Sequence, residues 1–162
     1  MAVVDYFLTI DGIEGESKDD AHKNQIELES FSFEETQAGT FAFGSGGGAG
    51  KVSMGDFHFT QKINKASPKL ALACATGQHI KKAVLTARKA GGKQQDFYTV
   101  TFTDLLVSSY QISGSGHGVT VPVDQVSLNF AKIEWKYQLQ DEKGNVGNPV
   151  MAGYDLKQNK KL

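Results

Sequence analysis

Apolar residues recur with a period of two along most of the chain. Ile26 and Leu28 are followed by Phe31 and Phe33, and Val52 and Met54 by Phe57 and Phe59. Tyr98, Val100 and Phe102 form a third run, and Val126, Leu128 and Phe130 a fourth, which continues through Ile133, Trp135, Tyr137 and Leu139. Alternation of this kind predicts antiparallel strands with one face buried and one face in water. The phase slips by one residue between Leu28 and Phe31, between Met54 and Phe57, and between Phe130 and Ile133. An uncorrected slip would turn the whole apolar set outward, and a β-bulge absorbs it by bending the strand. Bulged strands curl a sheet or carry it round a corner. The pattern therefore predicts a mainly β fold, a compact antiparallel β-barrel of two curled sheets. If each slip is a short turn instead, the strands are more numerous and shorter.

One helix stands out from this background. Ser67 is a suitable N-cap and Pro68 suits the first helical position. Leu70, Ala73 and Cys74 follow at helical spacing, and Gly77 fits the C-terminal stop. Two to three turns are marginal alone, so the helix must dock a Leu70/Cys74 face on the barrel, with Cys74 as a small buried hydrophobe. Turns are expected at Asp11-Gly12 and Gly15, at Gly91-Gly92 and at Gly144-Asn145, with looser loops over Gly114–Gly118 and Gly44–Gly50.

Composition narrows the class. The chain has 162 residues, 40% hydrophobic and 22% charged, which suits one domain over 1–162 with its own core. Residues 158–162 read as a frayed basic tail. The net charge is −1, and Arg88 is the single arginine among seventeen basic residues, which argues against a nucleic-acid partner. Cys74 is the only cysteine, so neither an intrachain disulfide nor a multi-cysteine zinc site is available. No basic residue precedes Lys18, and Asp5 and Asp11 interrupt the first apolar stretch, so no signal peptide is expected. No run reaches the roughly 18 apolar residues of a membrane helix, and no membrane insertion is expected. Charge is uneven: residues 1–56 hold eleven Asp/Glu against three Lys, and residues 57–162 hold fourteen Lys/Arg against seven Asp/Glu. Kept apart in space, these halves suit head-to-tail association of copies; interleaved strands would erase the asymmetry.

Catalytic and cofactor motifs fail in detail. Gly44–Lys51 resembles the end of a phosphate loop, but Ser45 stands at the first glycine and Val52 at the metal-binding hydroxyl, with a strand-like run after it. Gly44, Gly46 and Ala49 fit G-x-G-x-x-A without the βαβ unit that it needs. His22, His58, His79 and His117 form no metal-binding spacing, and no G-x-S-x-G elbow occurs. Asp19-Asp20 and Glu34-Glu35 read as solvated carboxylates. No cofactor, metal or enzymatic activity is expected.

The chain nevertheless resembles a known family, the Hcp proteins of bacterial type VI secretion. Gly15-Glu16-Ser17-Lys18-Asp19 matches its G-E-S-x-D turn, followed in place by His22 and the Ile26–Phe33 strand. Gly50-Lys51-Val52, Ser67-Pro68-x-Leu70, Ala73-Cys74 and Gly77-x-His79 come next. Arg88-Lys89-Ala90-Gly91, Val107-Ser108-Ser109 and Leu128-Asn129-Phe130-Ala131 complete the series. Phe31 and Phe33 stand where some members carry tryptophan. The order and spacing of the set, over essentially the whole chain, are specific where each motif alone is weak.

The resemblance implies a β-barrel with one flanking helix, a six-membered ring with a wide hole, and rings stacked into a tube that is fired from the cell. It implies small secreted effectors as cargo in the lumen, contact with the tip spike and sheath proteins, and export from the cytoplasm without a signal peptide. No appended toxin domain is expected. With Phe31 and Phe33 turned inward, Ser32 and Glu34 point outward, and the resemblance turns that face to the lumen. Thr40, Phe41, Ala42, Phe43, Gly44, Ser45, Gly46, Gly47 and Gly48 are the candidates for ring stacking. The competing readings are a small barrel that binds a ligand or peptide without forming tubes, and a hydrolase with a dispersed site.

Overall fold

The structure, a computed structural model, describes residues 3–39, 51–89, 94–118, 121–140 and 146–162. The strands are β1 (Val4–Ile10), β2 (Ile26–Leu28), β3 (Ser30–Ser32), β4 (Glu35–Thr36), β5 (Ser53–Met54) and β6 (Phe57–Lys62). After the helix α1 (Ser67–Thr76) come β7 (Ile80–Lys89), β8 (Gln95–Ser113), β9 (Val123–Gln140), β10 (Val146–Asp155) and β11 (Lys160–Lys161). The main sheet runs β11-β10-β9-β8-β7-β1-β2, and β3 joins it through β6, which pairs with β9. β4 and β5 form a separate two-stranded ladder. All pairings of the main sheet are antiparallel.

The hydrogen-bonded path does not close. It is interrupted between β2 and β3, where the chain itself turns the corner at Glu29, whose backbone N–H donates to the Thr60 carbonyl at 2.9 Å. The mainly β class with one short helix stands, as a barrel joined by a covalent corner rather than by an unbroken ladder. The longest strands, β8 and β9, owe their length to β-branched and aromatic runs such as Tyr98-Thr-Val-Thr-Phe-Thr103. β9 has β8 along one edge and divides the other between β6 (Val123–Leu128) and β10 (Lys132–Gln140).

The phase slips resolve differently from the expected bulges. Those at Leu28/Phe31 and Met54/Phe57 are breaks between separate strands, because each flanking strand takes a new partner. The slip at Phe130/Ile133 lies inside β9, without a register shift. Opposite it on β8, Asp104 adopts a left-handed conformation (φ 53°), and β8 changes phase there from Val100/Phe102 to Leu105/Val107. True register shifts occur at Ala87/Arg88, Val107/Ser109 and Val146/Pro149.

The core is aromatic at its centre. The Phe102 ring lies 4.8 Å from that of Phe57 and 4.9 Å from that of Phe130, and all three side chains are buried. Leu8, Ile26, Leu70, Leu85, Leu128 and Ile133 complete the packing. α1 begins one residue earlier than expected: Ala66 is the cap, and Ser67 lies inside the helix with no side-chain capping bond. The Ser67 hydroxyl instead donates to the Asp124 carboxylate at 2.5 Å. Leu70 and Ala73 form the buried face, and Cys74 is only half-buried. The stop is as expected: Gly77 is left-handed (φ 64°), and the Gln78 N–H returns to the Ala73 carbonyl at 3.0 Å.

Two further expectations change. The tail is paired rather than frayed: Lys160 and Lys161 lie opposite Asp155 and Tyr154, and the Leu162 N–H donates to the Gly153 carbonyl at 3.0 Å. Gly15 is a close-approach site within the segment before β2. A Cβ there would lie 2.5 Å from the Gln25 carbonyl oxygen, so only glycine lets residues 15–17 pair with 24–25.

Candidate functional site

Three surfaces are built from these elements. The first is the outward face of β3, β6 and β9. Phe31, Phe57, Phe59, Val126 and Leu128 turn into the core, so alternation sends Ser30, Ser32, His58, Thr60 and Gln125 outward. Ser32 stands opposite His58, and Ser30 opposite Thr60, with their hydroxyls 2.6 Å apart. A shallow cavity of about 410 Å³ runs along this face and on to Gln111 of β8. Hydroxyl, amide and imidazole groups supply its polar lining, and no Lys, Arg, Asp or Glu among the described residues borders it.

Ser32 and Glu34, both exposed, also share a smaller cavity of about 250 Å³ with His58 and Asp56. Asp56 is held there by the Ser108 hydroxyl at 2.6 Å and the Asn129 amide at 2.8 Å. The structure thus brings the two predicted residues to one place. Sequence reasoning missed His58, Thr60 and Gln125, although the inward phase of Phe57, Phe59 and Val126 already marked them as outward. Thr40 to Gly48 lie outside the described residues.

The second surface is a stripe that leaves the core. Ile133, Trp135, Tyr137 and Leu139 share one face of β9, and their exposure rises from 0% at Ile133 to 43% at Tyr137 and 48% at Leu139. Val150 stands opposite Tyr137 on β10 and is 62% exposed. Met151, opposite Lys136, lies on the other face of β10 and is 65% exposed. The alternation predicted a half-buried strand throughout, but this end finds no cover among the described residues.

The third feature is a clamp on the segment that precedes β2. Arg88, buried on β7, donates to Asp19 at 2.7 Å and to Asp5 at 3.3 Å, and its guanidinium sits 5.0 Å from the centroid of Phe7. His22 stacks on the same ring at 4.3 Å and reaches Gln25 and Asp96 at 3.0 and 2.9 Å. Asp19 is therefore not the solvated carboxylate expected. The Arg88 hydrogen bond holds it at about 2, well below the ordinary carboxylate value, against the opposing effect of burial. The lone arginine is spent inside the fold.

A buried polar knot ties α1 to the sheet. Asp124 accepts from Gln61 at 2.9 Å, Ser67 at 2.5 Å and Tyr110 at 2.8 Å. Burial pushes the Tyr110 hydroxyl up to about 12, and the Asp124 carboxylate adds to the shift. No group of three His, Cys, Asp or Glu suited to a metal occurs among the described residues, and no helix there is long and apolar enough to cross a membrane.

Comparison with known proteins settles the family. Residues 7–137 match the family model described as type VI secretion system effector, Hcp. The chain belongs to the Hcp family. It is 42% identical over 158 residues to protein hcp1 of Pseudomonas aeruginosa, covering 96% of this chain and 97% of that one. Among solved structures it is similar to Hcp1 from Salmonella typhimurium, with 38% identity, full coverage of both chains and a TM-score of 0.81. It is also similar to a structure described as a type six secretion system protein, with 32% identity, a TM-score of 0.93, and coverage of 99% of this chain and 100% of that one. The resemblance in the sequence, the mainly β class and the link to type VI secretion are all borne out.

Proposed function

We propose that this Hcp-family protein is the ring-forming subunit of a type VI secretion tube, with a structural rather than catalytic part in export. Six copies close around a hollow axis, and the rings stack. The whole chain acts as one unit. The observation that carries this reading is the apolar stripe on β9 and β10. Tyr137 and Leu139 continue the alternation of the buried Ile133, and with Val150 opposite Tyr137 they stand in water in a single copy, as expected of a surface covered by another chain.

Small effector proteins ride in the lumen against the Ser32 face. Its uncharged hydroxyls and amides suit weak, reversible contact with varied cargo. Thr40 to Gly48 mediate ring-to-ring contact, and the tube meets spike and sheath proteins of the apparatus. The protein is made in the cytoplasm and leaves without a cleaved signal peptide.

Light scattering on the purified full chain tests the assembly. A ring of six 17.5 kDa copies has a mass of about 105 kDa. A mass that stays at 17.5 kDa at high concentration in mild buffer overturns the ring and favours a monomeric binding module. Deleting Gly44–Gly48 should preserve the 105 kDa species and impair stacking; dissociation of the ring would remove that segment from the stacking role. Ser32→Gln should leave the mass unchanged and weaken cargo capture in a pulldown.

A further inference from the structure

The outward face of β3, β6, β9 and β8 holds neutral polar groups in register. Ser30 stands opposite Thr60, Thr60 opposite Gln125, and Gln125 opposite Gln111, so one row crosses four strands. At a strand spacing of about 4.8 Å the row is roughly 14 Å long, longer than a single sugar ring. Ser32 and His58 begin a second row beside it. Both rows line the cavity of about 410 Å³, a volume in the range of small-molecule sites. Among the described residues charge begins only beyond it. Glu34 and Asp56 border the smaller cavity past Ser32, and the Glu29–Lys62 pair lies past Ser30 and Thr60.

The chemistry of this face restricts what it can hold. Its hydroxyls and amides each donate and accept hydrogen bonds. An ionised ligand would shed water here without gaining a counter-charge. β6 and β9, which form the floor, are hydrogen-bonded along both edges, so a peptide backbone cannot add there as a strand. Phe31 and Tyr110 also border the cavity, both half-buried. The Tyr110 hydroxyl is taken by Asp124 at 2.8 Å, so what Tyr110 offers a ligand is aromatic carbon. The matching ligand is neutral, carries hydroxyls around its rim and turns apolar C–H faces to the aromatic rings. We propose that this face binds a neutral oligosaccharide, laid along the row from Ser30 to Gln111. The site is complete within one copy and adds a second class of ligand to the protein cargo of the ring reading.

Saturation-transfer NMR on the full chain tests it, at pH 8, where histidine is ordinarily neutral. The probe is N,N′-diacetylchitobiose, with glucose 6-phosphate as the charged comparator. Diacetylchitobiose should receive saturation at its ring C–H protons with a Kd on the order of 1 mM, and glucose 6-phosphate should receive none. Gln125 is exposed, and the isosteric Gln125→Glu should weaken diacetylchitobiose binding by about tenfold at an unchanged melting temperature. No transfer to diacetylchitobiose, equal transfer in Gln125→Glu, or equal transfer to glucose 6-phosphate overturns the site. Tighter binding of the neutral peptide acetyl-Ser-Asn-Gln-amide overturns the saccharide class and gives the face to uncharged peptide. Light scattering on the same sample separates the two readings: a ring of about 105 kDa that binds no sugar fails this site alone.

Discussion

The two ends of the β8–β9 pair have similar strands and opposite circumstances. At the Val123–Phe130 end, β9 is flanked on both edges, Val126 and Leu128 are sealed, and α1 is pinned by Asp124. At the Tyr137–Leu139 end the strand also has neighbours, β10 and the start of β8, but the same alternation continues into solvent. The sequence pattern is the same in both places. What differs is whether the chain supplies the second layer. A two-period apolar run therefore states that a face will be covered and leaves open by which chain.

Breaking the sealed end should have the largest effect. Phe102→Ala removes the ring between Phe57 and Phe130 and should lower unfolding stability by about 3–5 kcal/mol, read from urea denaturation. A loss below about 1 kcal/mol would mean that this end packs no better than the other. Asp124→Ala should follow, at roughly 3 kcal/mol, because Gln61, Ser67 and Tyr110 lose a buried acceptor together. In that variant the Tyr110 hydroxyl should also titrate lower than in the wild type, because the part of its upward shift that comes from the Asp124 carboxylate is lost, which an ultraviolet pH titration reads.

A pH series sharpens the contrast. Asp19 is depressed to about 2 from an ordinary 3.8, so its share of stability is complete above about 4 and is lost as the pH falls toward 2. The gap in melting temperature between wild type and Asp19→Asn should hold steady above pH 4 and close below it. A gap that persists at pH 2 would show that the Arg88 pair is not its source. The smallest effect on the single chain belongs to the open end. Val150→Ser with Leu139→Ser should change monomer stability by less than about 0.5 kcal/mol while lowering the mass measured by light scattering. A destabilised monomer would show that these side chains already have cover within the copy.

Much of this was legible because it is local. Alternation placed Phe57, Phe59, Val126, Leu128 and Ile133 inward, and with them Ser32 and Glu34 outward. Gly77 stopped the helix as its freedom at positive φ requires. The misreadings share a cause, a distant partner. Ser67 reads as a cap until Asp124, 57 residues away, takes its hydroxyl. Asp19 reads as solvated until Arg88 arrives across the sheet. The slip at Glu29 reads as a bulge until β2 and β3 take different neighbours, and the basic tail reads as loose until β10 accepts Lys160 and Lys161. The uneven charge was visible from the start.

The division of β9 between β6 and β10 has a mechanical side. Its backbone spans the polar outward face and the open apolar end, with β8 hydrogen-bonded along most of its length. Ladder bonds lie across the strand direction, so a pull along β9 strains many of them at once instead of opening them one by one. A thrust delivered to either surface is then carried along a single laterally braced girder.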